Sequence, residues 1–313
     1  MKRRSFIAGI GAVGAAIALP ARVLASSAPV ALGYTATTDF TSTFVGVEEG
    51  FFKKHGLVLE PQFIPLNSTI PAALQAGSLQ LGGPTPSVFL QAVEGGLDLV
   101  AVAGAGATTK NSRNAGLVAR KDSGIQSAQD CVGKKIGVPG LGAFLHVTLR
   151  SWLKENGVDY NKVTFVEVAF PQHADVLRGG GVDAVVTGQP SLGRIVDSGV
   201  GYVASYYLDF MPEGMPTTIY AARRDWTEKN PEQVKAFQSA LKDAGDFIAD
   251  QANAQRVRDI IGRYIKLPPE MLATVPVNAQ RAALPGSSLQ YWVDVMKDQK
   301  MLRESVDVPR LIV

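Results

Sequence analysis

The strongest constraint in this 313-residue sequence is a pattern that runs twice. From residue 29, short apolar runs alternate with amphipathic stretches: strands at 29–34, 57–64, 80–83 and 98–103, with helices at 41–55, 68–76 and 87–94 between them. The pattern restarts with strands at 134–138, 163–168 and 184–186 and helices at 143–156, 174–179 and 190–198. This alternation predicts α/β architecture with mostly parallel sheets, in two blocks. Two extended runs, 116–120 and 217–222, lie between and after the blocks. They read as the two strands of a hinge, because extended segments absorb a rotation without breaking either core. Three helices follow at 231–250, 254–265 and 288–300, the first with Asn230 as cap ahead of Pro231.

Charge separates the N-terminus from the rest. The whole chain carries 31 Lys and Arg against 28 Asp and Glu, but Lys2, Arg3, Arg4 and Arg22 all fall in residues 1–25, which contain no acid. What remains is nearly neutral, with little electrostatic reason to bind nucleic acid. A basic start, an apolar Gly/Ala-rich run over 6–19, Pro20 and Val23-Leu24-Ala25 make up an export signal. Arg3-Arg4-Ser5-Phe6-Ile7 resembles the twin-arginine motif, although Lys2 and Ala8 depart from its usual residues. No Cys stands directly after the cleavage point, where Ser26 follows Ala25, so the expectation is a free periplasmic protein that is not membrane-embedded. The 46% hydrophobic and 19% charged content excludes intrinsic disorder.

In open α/β sheets, ligands sit beyond the carboxyl ends of strands, where helix N-termini present unpaired N–H groups. Four loops take that position: 34–41 (Tyr-Thr-Ala-Thr-Thr-Asp-Phe-Thr), 83–87 (Gly-Pro-Thr-Pro-Ser), 139–144 (Pro-Gly-Leu-Gly-Ala-Phe) and 188–191 (Gly-Gln-Pro-Ser). Hydroxyls, backbone amides and a few aromatics suit binding better than catalysis. Three scattered His and the single Cys131 have no metal-ligand spacing, and no phosphate loop or Gly-x-Ser-x-Gly elbow occurs, so no metal, cofactor or catalytic residue is expected.

The run Glu49-Gly50-Phe51-Phe52-Lys53-Lys54-His55-Gly56-Leu57 opens an ordered series that continues with Ala73-Leu74-Gln75-Ala76-Gly77, Gly133-Lys134-Lys135-Ile136-Gly137-Val138, Gly181-Val182-Asp183-Ala184 and Asn230-Pro231-Glu232. The series resembles the periplasmic substrate-binding proteins of nitrate, sulfonate and taurine ABC importers. The resemblance implies a two-lobed type II periplasmic binding protein fold, each lobe a mixed, mostly parallel sheet flanked by helices, with a two-strand hinge. Residues 29–113 plus 219–313 would form lobe 1 and 114–218 lobe 2. It implies a monomer that captures a small molecule and delivers it to a permease and its ATPase subunit; a sensor partner would use the same chemistry.

Carried over residue by residue, the resemblance points to Tyr34, Thr37, Thr38 and Thr41 in the first loop, Thr85, Pro86 and Ser87 in the second, and Leu141, Gly142, Ala143 and Phe144 at the second-lobe helix start. Gln189 stands where many relatives carry an acid, and Tyr220 and Phe170 are candidates for stacking surface. Asp39 reads either as a helix cap or as an acceptor for an amine. Three ligand classes stay open: a small organic anion such as a sulfonate or aromatic carboxylate, a neutral heterocycle such as a thiamine pyrimidine precursor, and the substrate of an exported enzyme on the same fold.

Overall fold

The computed structural model describes residues 28–304 and 306–313; the export segment at 1–25 lies outside them. Twelve strands are present among the described residues: β1 (Val30–Tyr34), β2 (Leu59–Phe63), β3 (Leu81–Gly82), β4 (Leu99–Gly104), β5 (Gly106–Ala107), β6 (Ala115–Arg120), β7 (Lys135–Val138), β8 (Thr164–Glu167), β9 (Ala184–Gly188), β10 (Gly201–Ser205), β11 (Ile219–Arg223) and β12 (Ala279–Gln280). They form two five-stranded sheets, β2-β1-β3-β11-β4 and β10-β6-β9-β7-β8, and the small pair β12-β5.

Both large sheets have one plan. In the first, β1 runs parallel to β2 and β3, and β11 is inserted antiparallel between β3 and β4. In the second, β7 runs parallel to β8 and β9, and β6 is inserted antiparallel between β9 and β10. Each inserted strand is the one that enters from, or returns from, the other lobe. The two runs expected to be free hinge strands are therefore core strands, β6 and β11. Their residues 117–119 and 219–222 are fully buried because helices cover both faces of each sheet.

The actual crossings are 105–114 and 206–218, and they hold each other. Ala105 N–H donates to Thr218 O at 3.0 Å, Thr217 N–H to Gly106 O at 2.9 Å and Thr108 N–H to Met215 O at 2.8 Å. β12 adds a third strand beside β5. The C-terminal helix Gly286–Asp298 ties the lobes again. Glu94 and the bridge from Ala101 to Ile312 anchor its end of the chain to the first lobe. Trp292, fully buried, packs edge-on against Phe144 of the second lobe at 5.4 Å, and Gln299 Nε2 donates to Val147 O at 2.9 Å.

A second core lies behind β1 and β4, under helices Pro231–Ala249 and Ala254–Tyr264. Phe52 stacks on Phe237 at 5.6 Å, and Phe44 on Tyr264 at 4.3 Å. Each fully buried ring stabilises the fold by about 1.5–3 kcal/mol relative to exposure. Asn230 precedes Pro231 as expected but does not cap with its side chain, which donates to Trp226 O at 2.8 Å and closes the preceding helix Arg224–Lys229.

Candidate ligand site

The carboxyl ends of both sheets face each other across a cavity of about 80 Å³, counted as space open to the centre of a water molecule. That holds a handful of waters or one compact ligand. The first lobe contributes Thr35, Thr37, Asp39, Asn67 and Thr85; the second contributes Ala143, Phe144, Leu145, Phe170 and Gln189. The crossings supply Ala107, Thr108, Thr109, Thr217 and Thr218, and Asn278 reaches in beside β12.

Local sequence places these groups. After β1 the chain stays extended at Thr37 (φ −133°, ψ 160°), so Thr35 and Thr37 point into the cavity while Tyr34 and Ala36 point away. Asn67 clamps the next loop, donating to Gly83 O at 3.0 Å and accepting from Thr85 N–H at 2.9 Å. Gly83 is required there, because any Cβ would meet the ring of Phe40. Thr85 then caps helix Pro86–Glu94, its hydroxyl accepting from Val88 N–H at 3.4 Å.

Asp39 is the only ionisable side chain on this cavity wall among the described residues. It caps no helix. Oδ1 accepts from Thr217 Oγ1 and from Asn278 Nδ2, both at 2.8 Å, and Oδ2 accepts from Thr37 Oγ1 at 3.0 Å. Gly106 makes room for it, since a Cβ at that position would collide with Oδ1. Asn278 Oδ1 is buried with no partner. The first-lobe wall thus presents hydrogen-bond acceptors.

The opposite wall presents donors. Helix Phe144–Glu155 begins at Ala143 with no side-chain cap, so its first N–H groups and its dipole face the cavity. Gln189 accepts from Gly193 N–H at 3.2 Å through Oε1, which leaves its Nε2 hydrogens free to donate. Two buried histidines support this wall. His146 Nδ1 accepts from Gly142 N–H at 2.9 Å, and burial, with the nearby Arg150 charge, pushes its pKa down to about 3. His173 joins Thr187 Oγ1 to Val168 O, both at 2.8 Å, behind Phe170 and Gln189; burial pushes its pKa down to about 4.

Of the residues expected at the site, the structure brings Thr37, Asp39, Thr85, Ala143, Phe144, Gln189 and also Phe170 to this cavity. Thr38, Thr41, Pro86 and Ser87 are buried beneath it; Thr41 Oγ1 donates to Thr38 O at 2.7 Å. Leu141 points to solvent, and Gly142 spends its N–H on His146. Tyr34 faces a different cleft, beside Phe63 and Tyr264. Tyr220 is fully buried in the first-lobe core, with Oη 2.5 Å from Thr43 Oγ1 and its pKa pushed up by burial to about 12. Tyr220→Phe should therefore cost about 1 kcal/mol of stability in urea unfolding and leave ligand affinity within twofold. Arg113 lies over the Tyr206 ring and pairs with Asp209 at the surface, away from the cavity. Cys131 is buried with its pKa up at about 12, and no cluster of metal-ligating side chains occurs among the described residues.

Thr217 and Thr218 lie at the start of a run read as a hinge strand, but neither they nor Thr108, Thr109 and Asn278 were expected at the site. The paired Thr108-Thr109 and Thr217-Thr218 were the available signal; nothing local marks Asn278, which lies between segments read as helices.

Residues 37–255 match the family described as NMT1/THI5 like. The chain belongs to this family. Among its relatives, a Brucella abortus protein named only as a binding protein is 29% identical over 282 residues, covering 90% of this chain and 84% of that protein. The taurine-binding periplasmic protein of Escherichia coli is 26% identical over 197 residues, 62% of this chain and 58% of that protein. In structure, the alkanesulfonate-binding protein of Xanthomonas axonopodis pv. citri, bound to MOPS, superposes with a TM-score of 0.77 over 91% of this chain and 98% of that one, at 18% identity. This last likeness establishes the two-lobed α/β binding-protein fold. These relatives are binding proteins by name, and none of them is named as an enzyme. No helix among the described residues is long and apolar enough to cross a membrane.

Proposed function

We propose that this chain is the periplasmic solute-binding component of an ABC importer, exported by the twin-arginine route. It captures one small organic molecule between lobe 1 (29–113 plus 219–313) and lobe 2 (114–218) and presents it, as a monomer, to the permease and its ATPase subunit. The N-terminal basic and apolar segment and the periplasmic relative support the location.

The ligand class rests on one observation: the inner cavity is polarised, with Asp39 and Asn278 Oδ1 as acceptors on one wall and the Phe144 helix start and Gln189 Nε2 as donors on the other. A molecule with N–H donors at one end and an anionic or acceptor group at the other satisfies both walls. This refines the organic-anion expectation, since a sulfonate or carboxylate fits the helix start while an amino group answers Asp39. An aminopyrimidine is the neutral version of the same pattern.

Thermal unfolding with taurine, ethanesulfonate, benzoate and an aminopyrimidine tests it. A ligand at 100 times its Kd adds about 2.7 kcal/mol, a shift of several degrees. The two-ended compounds should stabilise more than the one-ended anions. Equal stabilisation by ethanesulfonate would overturn the donor-end requirement.

A further inference from the structure

Three loops separate the inner cavity from a second, larger cleft. Each loop turns one residue inward and its neighbour outward: Thr35 in and Tyr34 out, Phe170 in and Pro171 out, Gln189 in and Pro190 out. The outer cleft, about 600 Å³ by the same measure, continues along the end of helix Ala254–Tyr264.

Its walls combine aromatic surface with unopposed positive charge. Tyr34 lies 6.0 Å from Phe63 and 6.2 Å from Tyr264, centroid to centroid, and Tyr34 Oη donates to Tyr264 O at 3.3 Å. Phe63 is 46% exposed. Three cations line the cleft: Arg194 from the second lobe, and Arg263 and Lys266 from the first. Glu48 takes Arg263, and Tyr264 Oη also donates to Glu48, at 3.0 Å. Arg194 and Lys266 make no ion pair among the described residues, and no acid lines the cleft. Like charges from two lobes facing one opening repel, and an anion between them turns that repulsion into attraction. The exposed Phe63 ring and Leu267 supply apolar area for a ring or chain attached to the anion.

We propose that this outer cleft is a second binding site, for an amphiphilic organic anion such as an aryl sulfonate or aryl carboxylate. Its anionic group lies between Arg194 and Lys266, and its ring lies on Phe63 and Tyr264. The site does not depend on what the inner cavity takes.

Titration of the purified protein with naphthalene-2-sulfonate, followed by the probe's own fluorescence, tests the assignment. The expected result is saturable binding that weakens about tenfold or more in the double variant R194Q/K266Q, weakens in Phe63→Ser, and falls as salt rises from 0.05 to 0.5 M, about a threefold drop in Debye length. These side chains are exposed, so the variants should retain the parent thermal unfolding curve. Three results would each overturn the proposal: no binding at millimolar probe, binding unchanged in R194Q/K266Q, or a loss in Asp39→Asn equal to that in the double variant. The last would place the probe in the inner cavity.

Discussion

Asp39→Asn should weaken binding of an amine-bearing ligand by about 10- to 100-fold and strengthen binding of a purely anionic one. The first figure follows from a hydrogen bond to a charged acceptor, worth about 1.5–3 kcal/mol. The opposite sign for an anion follows because the substitution removes the one ionisable group on the inner cavity wall. Asn keeps an acceptor for Thr217 and Asn278, so the loops should hold their places. Asp39→Ala goes further, leaving Thr37, Thr217 and Asn278 without an acceptor, and should cost about 2–4 kcal/mol of stability as well. Calorimetric titration of both variants with taurine and ethanesulfonate, alongside urea unfolding, checks the pattern. Parallel loss for both ligands in Asp39→Asn would mean that the side chain only shapes the loop.

Acid should destabilise the protein well before its carboxylates protonate. His146 and His173 are held neutral, with folded pKa values of about 3 and about 4 against 6.5 for the free side chain. Between these limits the unfolded chain binds protons that the folded chain refuses. The contribution of the two histidines is therefore fully present above pH 6.5 and is lost as pH falls towards about 4 and about 3. Each loses about 1.4 kcal/mol per pH unit across most of that window, or about 2 kcal/mol each between pH 6.5 and 5. Urea unfolding at pH 7, 6 and 5 should show the slope. His146→Gln removes one of the two titrations and should halve it; an unchanged slope would place the acid sensitivity elsewhere.

How far the chain could be read from its residues depended on range. Strands β1, β2, β7 and β8 were legible because each is a short extended run followed by a helix, and β4 because it is an unbroken apolar run. β6 and β11 were legible as extended but not as core strands. Their insertion into sheets built from distant residues leaves no local mark; β10, the edge strand beside β6, was also missed. At the site, Asp39 was visible as the only acid of its loop. Its partners Thr217 and Asn278 lie 178 and 239 residues away, so its role as a shared acceptor could not be seen. Tyr220 looked like an aromatic near a loop, yet the buried hydroxyls of Ser42 and Thr43 answer its polar end inside the core.

The C-terminal helix Gly286–Asp298 changes what ligand capture has to accomplish. Two lobes joined by two paired strands alone could swing and twist about several axes. A third attachment through Trp292 and Gln299 removes most of those freedoms before any ligand arrives. Less rotational entropy is then lost on binding, so a small ligand with few contacts can still be held tightly. The same restriction limits how far the jaws can adapt, which favours compounds of one length over a broad range.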